Sequence, residues 1–247
     1  MMKFEILTLF PEMFEGVLGS SILNKAQERE LIEVETINIR AYATDKHKQA
    51  DDYPYGGGAG MVMKPEPIFR AVDSLEIDED VPVIFLTPQG KTFNQKMAKD
   101  FAKKERLVLL CGHYEGIDQR VRGELVSHEI SIGDFVLTGG ELPAMILVDA
   151  ISRMVPGVLG SDESYIEDSF YHGILDYPQY TRPQEFRGLE VPDILLSGDH
   201  GKIARWRRKE ALKKTLLRRS DLLEEVELSS EDKKLLAEIR EELKKEG

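Results

Sequence analysis

Three short stretches of the 247-residue chain have the make-up of ligand loops: TPQG (87–90), GHYEGID (112–118) and TGGELP (138–143). Each follows a strand-like apolar run, and in open α/β sheets ligands gather where strands end. Glycine lets the main chain come close to a ligand and adopt positive φ. One such loop is an ordinary turn; three in succession predict a shared pocket. Its chemistry is narrowed by what is missing. There is no G-x-x-x-x-G-K-[ST] segment, and YGGGAGM (55–61) has glycines without the dinucleotide spacing. None of the three loops offers Lys or Arg to a pyrophosphate. A ligand with a sugar, a base and little negative charge fits, and S-adenosylmethionine fits better than NAD or ATP.

Other reactive side chains are ambiguous by themselves. Cys111 is the sole cysteine, so no internal disulfide is possible, and its place at the end of RLVLLC reads as a small buried hydrophobe. Asp168 lies in a polar stretch where carboxylates are common. Arg153 reads equally as an ion-pair partner of Asp149, one turn back, or as a site residue. Residues 202–219 carry nine Lys or Arg and one Glu in a chain of net charge −12. Local potential decides whether a polyanion is attracted, although such a run also suits a solvated helix face.

The elements that must position these groups follow from hydrophobic pattern. Residues 3–10 and 31–39 read as strands, with a helix-like stretch to about Glu30 between them. Residues 81–87 and 106–111 are short apolar runs, the mark of strands buried on both faces, with a helix over 91–104 between them. Residues 131–137 read as a further strand-like run entering the Gly139-Gly140 pair. A nearly all-apolar helix opens at Glu141 with Pro143 in its first turn, and its apolar surround predicts central burial or a subunit contact. The fold class is therefore α/β, a mostly parallel sheet with helices on both faces. The expected division is a ligand-binding domain over 1–160, a linker over 161–176 and a small helical domain over 177–247. In the last helix Ser229 and Asp232 resemble a capping box, and Leu235, Leu236, Ile239 and Leu243 form one stripe. Hydrophobic content of 41% and charged content of 32% suit a globular protein. With neither a signal peptide nor an apolar span of membrane length, a soluble cytoplasmic protein is expected.

Together PYGGGAGM, TPQG, CGHYEGID, SIGDFVLTGGELPAM, SRMVPGVLG, EDSF, YTRP, VPDILLSGDH and RWR resemble the bacterial tRNA (guanine-N1)-methyltransferase family, TrmD, in its order and spacing. The resemblance implies a SPOUT-superfamily domain with a deep trefoil knot, an exception to the rarity of knots. It implies transfer of a methyl group from S-adenosylmethionine to N1 of the guanosine at tRNA position 37, within a homodimer whose active sites lie at the subunit interface. The cofactor-binding residues it implies are Leu86, Thr87, Pro88, Gln89 and Gly90; Gly112, Tyr114, Glu115 and Gly116; and Ile132, Gly133, Asp134, Phe135, Val136, Leu137, Gly139, Gly140 and Pro143. Asp168 becomes the general base for the N1 proton and Arg153 the cation stabilising charge on guanine O6, the two coming from opposite subunits. Glu115 holds the guanine edge or helps place Mg2+, for which no ligand cluster is visible; residues 51–60 belong to the guanosine pocket. Lys202, Arg205, Arg207, Arg208, Lys213 and Lys214 become tRNA phosphate contacts. Trp206 suits stacking on a base but reads more readily as a packed core side chain, and His113 reads as a shaper of its loop. The alternatives are a SPOUT enzyme acting on a ribose 2′-oxygen or rRNA, and a non-catalytic RNA-binding dimer.

Overall fold

The structure is a computed structural model that describes residues 1–160 and 165–246. The chain divides into two compact units, Met1–Asp162 and Glu163–Gly247. Residues 161–164 of the expected linker lie outside the described residues.

The first unit runs β1 (Met2–Thr8), α1 (Glu15–Leu18), α2 (Ser21–Glu28), β2 (Ile32–Asn38), β3 (Asp51–Asp52), β4 (Val62–Met63), α3 (Pro65–Asp73), β5 (Val83–Thr92), α4 (Gln95–Phe101), β6 (Arg106–Cys111), α5 (Gln119–Glu124), β7 (His128–Ser131) and α6 (Glu141–Ser152). Five strands form a sheet in the order β2-β1-β6-β5-β7, every neighbouring pair parallel. Side chains alternate across a strand, so each strand feeds two cores. Ile84, Leu86, Leu107, Leu109 and Cys111 pack with α2, α4 and α6, while Val83, Phe85, Val108 and Leu110 pack with α3 and α5. Helices on both faces explain why β5 and β6 are continuous apolar runs.

Two elements differ from their sequence reading. The strand expected over 131–137 stops at Ser131, and 132–138 is an irregular loop. Gly133 adopts φ +144°, while Ser131 Oγ accepts from the Gly133 amide and donates to its carbonyl, turning the chain out of the sheet. Of the apolar residues that imitated a strand, Ile132 packs against the core, while Phe135, Val136 and Leu137 are exposed, Val136 at 83%. The helix expected over 91–104 is shorter because Lys91 and Thr92 resume β5 after a break in its pairing with β7. Asn94 then caps α4, its side-chain oxygen accepting from the Met97 amide.

The second unit carries a two-stranded antiparallel ribbon, β8 (Glu185–Phe186) and β9 (Leu189–Glu190), followed by α7 (His200–Arg218), α8 (Leu222–Glu225) and α9 (Ser230–Glu246). Ala211 and Leu212 of α7 bury against Leu235, Leu236 and Ile239 of α9, with Ile174 completing the core. The capping box forms as read. The Asp232 amide donates to Ser229 Oγ at 3.1 Å and the Ser229 amide to Asp232 Oδ2 at 3.0 Å. Among the described residues no helix is long and apolar enough to cross a membrane.

Candidate cofactor pocket and nucleic-acid surface

The ends of β5, β6 and β7 lie side by side, so the loops leaving them must meet. They enclose a cavity of about 420 Å³. Sixteen of the eighteen residues expected to hold cofactor line it: Leu86 to Gln89; Gly112, Tyr114, Glu115 and Gly116; and Ile132, Gly133, Phe135, Val136, Leu137, Gly139, Gly140 and Pro143. Gly90 and Asp134 stand outside the lining. Gly90 is seated against the backbone of Glu129 and Ile130, where a Cβ has no room, and Asp134 points to solvent. The lining also holds Phe85, His113, Ile130, Ser131 and Thr138, which sequence reading did not select. His113 and Thr138 lie within the chosen loops, whereas Phe85, Ile130 and Ser131 flank them, and only the strand order reveals which flanking residues turn inward.

Among the described residues the pocket wall contains no Lys or Arg, and its carboxylate is Glu115. A cationic, phosphate-free ligand is electrostatically suited to it; a pyrophosphate would be desolvated there without a counter-charge. Tyr114 is held at φ +59°, an uncommon backbone state for a non-glycine residue. Its hydroxyl lies 3.2 Å from Arg40 Nη2, which reaches it from the turn after β2. Gln89 is oriented by Arg122, which donates to Gln89 Oε1 at 2.8 Å while pairing with both oxygens of Glu129. The Arg122 guanidinium holds the Glu129 carboxyl below its ordinary range, so this brace is ionic at neutral pH.

The loop floor is fixed by a side chain absent from the expected set. Glu141, at the start of α6, is 1% exposed. Its Oε1 accepts from Thr8 Oγ1 at 2.6 Å, and its Oε2 lies 2.7 Å from His113 Nε2. It thereby ties the end of β1 and the loop after β6 to the first turn of α6. The Gly140 amide donates to the Gly112 carbonyl at 2.9 Å, and a Cβ on Gly140 would stand 2.6 Å from Cys111 Cα. His113 therefore shapes its loop, as its sequence reading has it. Cys111 is fully buried, and burial together with the nearby Glu141 pushes its thiol well up, so it is a packing residue.

Residues 51–60 are brought to this site by main-chain bonds of the segment that follows them. The Met63 amide donates to the Gly116 carbonyl at 2.9 Å and the Glu115 amide to the Met61 carbonyl at 3.0 Å, which brings Gly60 against the Glu115 side chain. Arg153 caps the C-terminus of α6, half-buried, with its amide on the Asp149 carbonyl at 3.1 Å. Asp168 lies in the second unit, exposed, in a turn where its carbonyl accepts from the Tyr171 amide at 3.2 Å. Among the described residues there is no cluster of three or more His, Cys, Asp or Glu side chains that could hold a metal.

The basic run lies on α7, and much of its charge is engaged within the unit. Lys202 pairs with Asp199, Arg205 with Glu238 and Glu231, Arg208 with Asp232, Lys209 with Glu238 and Glu242, and Lys214 with Asp176. Arg207 and Lys213 have no such carboxylate among the described residues; the Arg207 guanidinium lies over the Tyr177 ring at 4.8 Å. Trp206 departs from its reading as a core residue: it is half-buried, 6.4 Å ring to ring from Tyr180, and outside the helical core. At the α7 position facing the β8–β9 side the chain offers a groove in place of tight packing, which the helical period alone does not distinguish.

Residues 2–225 match the family model described as tRNA (Guanine-1)-methyltransferase TrmD. The chain is 59% identical over 246 residues to the tRNA (guanine-N(1)-)-methyltransferase of Dictyoglomus turgidum, covering all of both chains. It is 56% identical over 243 residues to the Staphylococcus carnosus enzyme of the same name, with 98% of this chain and 99% of that one covered. A third, from Moorella thermoacetica, is 58% identical over 241 residues, 96% of each. With the three glycine loops joined in one pocket and the match extending along nearly the whole length, this chain belongs to the tRNA (guanine-1)-methyltransferase family, TrmD.

Proposed function

We propose that the protein transfers a methyl group from S-adenosylmethionine to N1 of guanosine at tRNA position 37. The observation that carries this reading is the convergence of three glycine loops on one cavity whose wall, among the described residues, has no Lys or Arg. Bound there, S-adenosylmethionine supplies an electrophilic methyl group on a positively charged sulfur. The main-chain groups of residues 132–140 and 112–116 bind its adenosine and methionine parts, and Glu115 contributes the favourable negative charge. Membership of the family supports a chain threaded through itself, the trefoil knot of the SPOUT superfamily.

Guanine N1 carries a proton and is a poor nucleophile until it is lost. The Asp168 carboxylate accepts that proton as general base. Charge then spreads to O6, where the Arg153 guanidinium stabilises it as an oxyanion-type donor. The working particle is a homodimer with its active sites at the subunit interface. Leu142 and Ile146, one turn apart on α6 and 49% and 46% exposed, support a subunit contact on that helix. Of the expected tRNA contacts, Arg207 and Lys213, which have no carboxylate partner among the described residues, bear on tRNA phosphates, whereas Lys202, Arg205, Arg208 and Lys214 serve chiefly the unit's own ion pairs.

The test is incubation with methyl-labelled S-adenosylmethionine and an unmodified tRNA transcript, followed by nuclease mapping. Label is expected on N1 of guanosine 37 and to vanish when that base is adenosine. Label on a ribose, or on any other nucleotide, would overturn the reading.

A further inference from the structure

In the second unit a groove of about 500 Å³ opens between α7 and the segment leading into β8. Trp206 and Tyr180 line it with ring centroids 6.4 Å apart and planes at 54°, a corner in which neither ring covers the face of the other. Tyr180 is 48% exposed, and Leu196, also exposed, extends the apolar wall. Two cations, Arg182 and Arg207, border the same groove. The contrast along α7 is informative: five of its cations turn to carboxylates of their own unit, while Arg207 at the groove does not. An aromatic corner whose guanidinium groups meet no carboxylate among the described residues is a poor site for a basic or purely apolar partner helix. It combines the two things an unpaired nucleotide needs, a π face for the base and positive charge for its phosphate.

We infer that this groove binds an unpaired nucleotide of RNA, the base stacked against Trp206 and Tyr180 and the phosphate held by Arg207 and Arg182. The site deepens the proposed function and rests on RNA being the substrate. Because the contact is stacking, it tolerates any base, so it anchors the RNA without selecting the methylated position.

Trp206 is the only tryptophan of the chain, so its emission reports on this groove alone. The experiment titrates the full-length protein with a short single-stranded oligoribonucleotide and with the tRNA transcript, following Trp206 fluorescence, and in parallel measures methylation of that transcript. Saturable quenching is expected with both RNAs. Trp206→Ala and Tyr180→Ala are expected to weaken tRNA binding roughly tenfold. The loss should show in KM for tRNA with kcat and cofactor affinity nearly unchanged, and Trp206→Phe should restore most of it. Tyr180, being exposed, keeps the test sound if Trp206→Ala unfolds. Methylation without quenching overturns the groove assignment and leaves the substrate reading standing. Quenching by the oligonucleotide without methylation of tRNA supports the groove and removes the substrate reading. Emission that follows protein concentration and ignores RNA assigns the groove to a second copy of the chain and overturns the inference.

Discussion

The Glu141 carboxylate and the His113 imidazole meet at 2.7 Å beneath the pocket, one from the first turn of α6 and the other from the loop after β6. The carboxylate can only accept, so the ring proton belongs on Nε2. With Thr8 on the other oxygen, a nearly inaccessible charge is satisfied on both sides by groups from two different strand ends. Removing one partner of a buried pair leaves the other uncompensated, which makes this contact a sensitive point of the site.

Glu141→Ala is accordingly expected to cost about 3 kcal/mol of stability and to weaken cofactor binding, because both loops lose their common anchor. Glu141→Gln, which keeps one acceptor and the shape, should lose less. Urea unfolding paired with calorimetric titration of S-adenosylmethionine checks this; an alanine variant that matched the parent in both would refute the anchoring role.

Gly140→Ala places a methyl group 2.6 Å from Cys111 Cα and 2.9 Å from the Gly112 amide nitrogen, both main-chain atoms that cannot swing aside. Overpacking of this kind costs about 1–3 kcal/mol, and the displaced loop is the pocket floor. Thermal unfolding with and without S-adenosylmethionine should show a lowered midpoint and a smaller ligand-induced rise. Gly123→Ala, inside α5 with open space around its Cβ position, is the matched control and should leave the midpoint equal or slightly raised and the ligand-induced rise unchanged.

If Asp168 takes the N1 proton, Asp168→Asn should lower kcat by about 10²–10⁴-fold with little change in cofactor affinity. Arg153→Ala should likewise act on kcat. Single-turnover methylation, with cofactor affinity measured separately, distinguishes these losses from disruption of the pocket. Undiminished turnover in the asparagine variant would assign the base elsewhere.

In the second unit Arg208 pairs with both oxygens of Asp232 at 2.7 and 3.0 Å, and Ser229 adds further donors. The guanidinium is the main cause of a carboxyl pKa lowered from 3.8 to about 2. A lowered folded-state pKa means stability that is fully present above the unfolded value and lost as pH falls through the folded one. The pair thus contributes roughly 2 kcal/mol at neutral pH, fading between about pH 4 and pH 2. Asp232→Asn is expected to remove this dependence from the helical unit's unfolding curve, followed between pH 7 and pH 2. A variant with an unaltered acid transition would exclude Asp232 as its source.

By itself the sequence determined the alternation of strands and helices, the doubly buried character of β5 and β6, the capping box at Ser229 and the three loops. All depend on local period and on residues such as Gly, Pro and Ser whose backbone preferences act within a few positions. The candidate pocket was legible in the same way, as loops already marked by glycine, and the motif order carried the family. The tertiary structure decided what local pattern cannot encode. It ended β7 at Ser131, because Gly133 turns the chain away and leaves apolar Val136 in the loop. It recruited Glu141 and Thr8, distant in sequence, into one buried contact, since only the order β2-β1-β6-β5-β7 brings the ends of β1 and β6 together. It also sorted the α7 cations into those spent on neighbouring carboxylates and those left facing outward. For Arg205, Arg208 and Lys209 that division depends on the acidic residues of α9 lying across from α7, a long-range packing choice that a run of like charges does not reveal.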